Sequence, residues 1–147
     1  MSEQLKIDDV AKQSGLSKRT IRYYEEIGLL PPPKRSSGGT RLYGQEHVEY
    51  LQRIIIAKEV LGFSLQELQH FMSLSETLDI HRADYKKVTD PGKQKEKLNE
   101  IIEIVNHQLE MIEGKIQKIR RFQTELITLR ERAQAAIRKI DEEPSKP

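Results

Sequence analysis

IDDVAKQSGLSKRTIRYYEEIGLL, residues 7–30, carries the reading from which the rest of the fold follows. Ile7, Val10 and Ala11 stand at helical spacing, and Asp8 and Asp9 occupy the first turn, where carboxylates suit the positive end of a helix. A short helix over 7–13 is therefore expected. Ser14-Gly15-Leu16-Ser17 supplies a glycine for a tight turn and Ser17 as the N-cap of a second helix from Lys18 to about Ile27. Two short helices around such a turn make a helix-turn-helix. Ile21, Tyr24 and Ile27 recur every three residues and suit the face toward the first helix, which leaves Lys18, Arg19 and Arg22 turned outward near the N-terminal end. Recognition helices present that end to base edges.

Working outward, Gly28-Leu29-Leu30 and three prolines close the second helix, because proline offers no backbone N–H and restricts the residue before it. Two short extended pieces around Ser36–Gly39 then form a hairpin, with Gly38 and Gly39 taking the positive φ of the turn. Lys34, Arg35, Thr40 and Arg41 lie on this wing, where basic side chains suit phosphates. A strong helix is expected from Gln45 to Leu61, broken by Gly62-Phe63. The next runs through Phe71, with Ser64 and Glu67 as a capping box. From Ser17 to Arg41 six Lys/Arg face two Glu, while residues 42–147 hold 17 basic against 18 acidic residues, so the excess of positive charge is local.

Residues 76–92 are weakly patterned, end at the turn signal Asp90-Pro91-Gly92, and read as a linker or hinge. Beyond them Leu98, Ile102, Val105, Leu109, Ile112, Ile116, Ile119 and Leu126 follow alternating steps of four and three, continuing through Ala133, Ile137 and Ile140. With Ile102 at heptad position a, Gln123 and Arg130 fill two a slots that an unbroken seam gives to apolar residues. Two readings stand for them: they set register, or the coil opens there and folds back beside a partner. At roughly 1.5 Å per residue the seam is about 65 Å long, more than one small domain buries, so a partner helix is required. The expected architecture is mainly α, a winged helix-turn-helix over 1–75, a linker over 76–92, a coiled-coil dimerisation helix over 93–141 and a disordered tail over 142–147.

Composition narrows the function classes. Only 36% of the 147 residues are hydrophobic, a third are charged and there is no Trp, which suits helices with much solvated surface. The absence of cysteine excludes disulfides, thiolate metal sites and thiol redox sensing. The opening residues lack the apolar run of a signal peptide, and no stretch nears the roughly 20 apolar residues of a membrane helix, so a cytoplasmic, nucleoid-associated protein is expected. No phosphate-cradling glycine loop or Ser/His/Asp constellation speaks for an enzyme, and no cofactor is expected. His81 with Asp84 and Tyr85 is the one cluster hinting at a metal, but it lacks a third strong ligand, so no metal site is assigned.

VAKQSGLSKRTIRYYEEIGLLPPPKRSSGGTRLYGQEHVEYLQRI and the following EVLGFSLQELQHFM resemble the MerR family of bacterial transcription regulators. Several linked motifs carry the likeness in order: IRYYEEIGLL, the RLY of the wing and LGFSLQEL. The resemblance implies a homodimer held by an antiparallel pair of long helices, sitting on double-stranded promoter DNA and distorting its spacer for RNA polymerase. It also implies specificity that leans on DNA deformability. Residue by residue, Lys18 and Arg19 would reach the major groove, while Arg22, Tyr23 and Tyr24, with Ser17 at the helix start, would fix the backbone. Lys34, Arg35 and Arg41 would serve the wing and Lys58 a further phosphate. Thr40 stands where many relatives have an aromatic, so a hydroxyl replaces a ring before the wing arginine. For Tyr24 the competing reading is a core aromatic; for Arg22 it is a salt bridge to Glu25 or Glu26. The resemblance leaves room for a small-molecule effector near the coil ends. The alternative function is an architectural DNA-binding protein without a promoter switch.

Overall fold

The computed structural model describes residues 4–143 as five helices and a two-stranded hairpin: α1 (Ile7–Ser14), α2 (Lys18–Glu26), β1 (Lys34–Arg35), β2 (Arg41–Leu42), α3 (Gln45–Glu59), α4 (Leu65–Lys87) and α5 (Pro91–Glu142). The chain divides into two units, a first through Gln108 and a second from Leu109.

In the first unit each helix end has an identifiable cause. The Lys6 backbone N–H donates to the Asp9 carboxylate at 3.1 Å, and Gly15 closes α1 at φ 78°, its N–H on the Ala11 carbonyl. Ser17 caps α2 by accepting from the Thr20 N–H at 3.1 Å. At the far end Gly28 turns to φ 76°, so that the Leu29 and Leu30 N–H groups both reach the Tyr24 carbonyl and both leucines enter the core. The Gly44 N–H donates to His47 Nδ1 at 3.0 Å, a cap at the start of α3. Ser64 and Glu67 form the expected reciprocal box, at 3.2 and 3.0 Å.

α1 packs on α2 and α3, and α3 on α4, around Val10, Ile21, Leu30, Leu51, Ile54 and Leu68, all essentially solvent-free. Burying such side chains is worth about 1.5–3 kcal/mol each, which holds these short helices together despite weak intrinsic propensity. In the hairpin Arg35 pairs with Arg41 and Lys34 with Leu42. Only Gly39 takes positive φ (83°); Gly38 does not, because the turn over Ser36–Gly39 closes with the Gly39 N–H on the Ser36 carbonyl and places just its last residue left-handed. Leu5 extends the wing through a two-bond antiparallel bridge to Tyr43.

The segment 76–92 differs from its reading as a linker. α4 continues past Phe71 to Lys87, and only Val88–Asp90 separate it from α5. Asp90 is the N-cap of α5, accepting from the Lys93 N–H at 3.0 Å, with Pro91 at the first helical position. Those residues do make a turn, but it is also a helix start. Along 73–87, polar links to α5 accompany the half-buried Leu74, Leu78 and Tyr85. The Gln108 amide donates to Ser75 Oγ (2.7 Å) and the Phe71 carbonyl (3.3 Å), His81 Nδ1 meets Glu100 at 3.0 Å, and Lys97 meets Asp84 at 3.7 Å. Together they tie α4 and the start of α5 into an antiparallel pair.

α5 runs from Pro91 to Glu142 without a break at Gly114, Gln123 or Arg130. In the second unit every described residue from Gln117 onward is exposed in the single chain. The tail expected over 142–147 lies, from 144 on, outside the described residues.

Candidate nucleic-acid interface

α2 presents two faces. Ile21 and Tyr24 are buried, whereas Lys18, Arg19, Arg22 and Tyr23 are exposed. The two tyrosines separate cleanly: Tyr23 is 41% exposed and Tyr24 7%, their rings 6.1 Å apart. Tyr24 thus takes the competing reading, a core aromatic, because its position three residues after Ile21 points inward. Ser17 spends its hydroxyl on the α2 cap and on Thr20 Oγ1 at 2.8 Å. Lys18 forms an ion pair with Asp8 of α1, and its hydrogen bond and charge hold the Asp8 carboxyl below the usual carboxylate range. Both side chains are at least half exposed, so the pair is screened and easily exchanged for a phosphate. Arg22 forms no ion pair with Glu25 or Glu26 among the described residues.

Glu25 belongs to the wing instead. Its side chain is only 13% exposed and accepts from Arg41 Nε at 3.1–3.3 Å and from the Tyr43 hydroxyl at 3.3 Å. Tyr43 is buried, and that burial, reinforced by the Glu25 charge, raises its phenol above the ordinary value. The three residues clamp the hairpin to the recognition helix, which fixes the angle between the two DNA-facing elements. Sequence reasoning offered Glu25 only as a partner for Arg22 and gave Tyr43 no role, although a signal was present: Glu25 stands four residues after Ile21 and shares its inward face, where a carboxylate requires a partner. The same clamp revises Arg41, whose guanidinium is engaged and half-buried rather than free on the wing.

Lys34 and Arg35 are exposed on β1, with Arg35 donating to the Gly39 carbonyl at 3.0 Å across the turn. Thr40 is exposed at the foot of that turn, its backbone N–H on Ser36 Oγ at 3.2 Å. Lys58 is exposed near the end of α3. Arg19, Arg22, Lys34 and Lys58 therefore stand as cations without an ion pair among the described residues. The His81 cluster is filled differently from a metal site: Lys97 lies 3.4 Å from His81 Nδ1 and 3.3 Å from Glu100, so an ammonium occupies its centre. Among the described residues no group of three or more His, Asp or Glu is arranged to hold a metal, and no helix is long and apolar enough to cross a membrane.

A capped helix with an exposed basic end, braced by a two-stranded wing with its own basic edge, defines a winged helix-turn-helix DNA-binding protein. Comparison with known proteins specifies it further. The family model described as MerR HTH family regulatory protein matches residues 5–75. The HTH-type transcriptional regulator YfmP of Bacillus subtilis (strain 168) is 52% identical over 139 residues, spanning 95% of this chain and 99% of the relative. CueR of Salmonella typhi, also an HTH-type transcriptional regulator, is 40% identical over 103 residues, 70% of this chain and 68% of its own. Two solved structures share the fold. A MerR family regulator from Listeria monocytogenes has a TM-score of 0.55 at 22% identity over 93% of this chain and 96% of that one. HiNmlR, a MerR family regulator lacking the sensor domain and bound to promoter DNA, has 0.53 at 19% identity over 91% and 93%. This chain belongs to the MerR family: it is a DNA-binding transcription regulator, not an enzyme.

Proposed function

We propose that the protein works as a homodimer that grips two half-sites of a promoter and distorts the DNA between them. The observation that carries this reading is the surface of α5. Ten large apolar residues between Leu98 and Ile140 are exposed in the single chain, among them Leu98, Ile102, Leu109, Ile119 and Leu126 of the heptad rows. Charge supplies the orientation: residues 93–114 hold three Lys against five Glu, whereas 115–140 hold eight Lys/Arg against two Glu. An antiparallel pair of these helices sets each acidic half against a basic one. The seam is formed by Leu98, Ile102, Val105, Leu109, Ile112, Ile116, Ile119 and Leu126. A stiff helix pair fixes the separation of the two winged domains, and DNA whose half-sites do not match that separation must bend or untwist to be held.

On each half-site Arg19 and Lys18 read base edges, Lys18 exchanging Asp8 for DNA, while Arg22 and Tyr23 hold phosphates beside the α2 start capped by Ser17. Lys34 and Arg35 with the Thr40 hydroxyl serve the wing, and Lys58 a more distant phosphate. Arg41 positions the wing through Glu25. RNA polymerase at the same promoter is the partner on which the distortion acts, and organic compounds are the effector class to screen by thermal shift, since no cysteine exists for thiolate metals.

Sedimentation of the full chain followed by footprinting and in vitro transcription tests the proposal. A dimer that protects two half-sites, makes the spacer between them hypersensitive and changes transcript yield supports it. A monomer, or saturating occupancy without a change in transcription, rejects the promoter switch; a dimer of the latter kind would be an architectural DNA-binding protein.

A further inference from the structure

Where the chain passes from the wing into α3, a histidine stands in the first helical turn. His47 is buried, at 8% exposure, and its Nδ1 accepts from the Gly44 N–H at 3.0 Å. A backbone amide can only donate, so Nδ1 carries no proton and the neutral ring holds its proton on Nε2. The same nitrogen has a second neighbour of opposite character: Glu46 Oε1 lies 3.8 Å from it. Gly44 leaves room for that carboxylate, since a Cβ there would collide with it. This accounts for a glycine whose φ of −117° any residue could adopt. One ring nitrogen therefore lies between a donor and an acceptor. Unprotonated, it accepts from Gly44; protonated, it loses the amide and has Glu46 to donate to. The Glu46 side chain is 69% exposed, so closing the remaining distance costs little.

We propose that His47 is a positioning residue for DNA binding, whose neutral ring holds the wing in its binding geometry and whose protonation releases it. Every group involved lies in one winged domain, so the proposal needs no second copy of the chain. Gly44 directly follows Tyr43, and the imidazole meets the Tyr43 ring at a right angle, with centroids 5.3 Å apart. Tyr43 donates to Glu25 at 3.3 Å, and Glu25 also accepts from Arg41. Trading Gly44 for Glu46 thus disturbs both links between the start of α3 and Tyr43, and with them the angle of the wing to α2. Few ionisable groups face the imidazole. It lines a cavity of about 310 Å³ together with Lys34 of β1, Tyr43 and Glu46, and the remaining lining is uncharged. α1 and α4 also pack on α3, but among the described residues neither brings an ion pair or a hydrogen bond to His47. Imidazole is the side chain that changes charge between about pH 5 and 8. The bonded, neutral ring belongs to the alkaline side of that range, so DNA binding is lost on the acid side. That sign runs against the general trend, because added positive charge by itself strengthens attraction to phosphates.

The test uses the full-length protein and a duplex selected by it from a randomised pool at about pH 8, with affinity measured by fluorescence anisotropy down to about pH 5.5 at constant ionic strength. Wild type should weaken at least about fivefold over that range, the loss of one backbone hydrogen bond carried into the wing. His47→Gln supplies an uncharged acceptor at the same helix position, as in a capping box, and has no proton to gain. Whatever its affinity at the alkaline end, its ratio across the range should stay within about twofold. Parallel profiles for the two proteins assign the effect to His70, His81, His107 or the DNA and overturn the proposal, as does a wild type that binds equally or more tightly in acid. Circular dichroism over the same range separates the wing from the fold: a cooperative loss of helix assigns the effect to unfolding and also overturns it. Long-range ¹H–¹⁵N spectra of wild type keep the test intact if the glutamine variant does not fold. The His47 ring should carry its proton on Nε2 at the alkaline end, and the Gly44 and Tyr43 amide signals should titrate with it. A ring that stays neutral throughout, or titrates without moving those amides, refutes the switch.

Discussion

Replacing Glu25 with alanine should cost about 2–3 kcal/mol of folding stability and misplace the wing. The carboxylate accepts from Arg41 Nε at 3.1–3.3 Å and from Tyr43 OH at 3.3 Å. A hydrogen bond to a charged group is worth about 1.5–3 kcal/mol. Two bonds do not double that figure, because Arg41 is 33% exposed and water recovers much of its loss. Tyr43, at 1% exposure, has no such recourse, and an unsatisfied buried hydroxyl costs about 1–3 kcal/mol. Urea denaturation followed by far-UV circular dichroism at one protein concentration, since the stability of the proposed dimer would depend on it, should show a midpoint lowered by about 1 M or more. Glu25→Gln keeps shape and an acceptor and should lose about 1 kcal/mol, the share of the charge. The DNA side gives a sharper readout. If Arg41 braces the wing, Arg41→Ala weakens binding while leaving the dependence of log K on log[salt] close to wild type; a phosphate contact would reduce that slope by about 0.9. A Glu25→Ala protein within about 0.5 kcal/mol of wild type, the range of an ordinary surface change, refutes the clamp. So does a full unit lost from the salt slope in Arg41→Ala.

Further outcomes follow from the same geometry. Arg19→Ala should cost about 1–3 kcal/mol of DNA affinity and relax base preference in a selection experiment, whereas Lys34→Ala should weaken all sequences alike and lower the salt slope by about 0.9. Asp8→Asn removes the anion that competes for Lys18, so gel shifts at low salt should show tighter binding, with the gain fading as salt screens both interactions. Tyr50 is pushed from 10.0 up to about 12, by burial first and then by the charges of Glu76 and Asp79. The folded state therefore keeps a proton that the unfolded state releases, so its stabilising effect is complete below about pH 10 and is lost as pH rises through 12, amounting to at most about 3 kcal/mol at roughly 1.36 kcal/mol per unit, less whatever solvent screening removes. Equilibrium unfolding at pH 9, 10.5 and 12 checks this, and Tyr50→Phe should remove that part of the slope.

The helix-turn-helix was legible because its signals are local: Ser17, Gly15, Gly28 and the Ser64/Glu67 box each act within three or four residues of themselves. The outward cations followed from the same periodicity. What escaped was set by pairing at a distance. Whether Arg41 is free depends on Glu25, 16 residues away, and whether Lys18 is free depends on Asp8 of another helix. The helix over 76–87 was read as a linker because its ion pairs, His81 with Glu100 and Asp84 with Lys97, are polar and only Leu78 and Tyr85 mark its inner face among charged neighbours. Asp90-Pro91 was ambiguous for a different reason, since an N-cap followed by proline at the first helical position has the composition of a turn.

The bridge from Leu5 to Tyr43 makes the start of the chain a third edge of the wing, and this bears on how the protein is handled. Tyr43 is also the residue through which the wing meets Glu25, so a disturbance at Leu5 travels one hydrogen-bonded residue before it reaches the clamp. Trypsin cutting after Lys6 would unhook the hairpin while the helical core stays folded, leaving a fragment that looks native by circular dichroism and binds DNA poorly. Purification handles and fluorophores for binding studies accordingly belong at the other end of the chain.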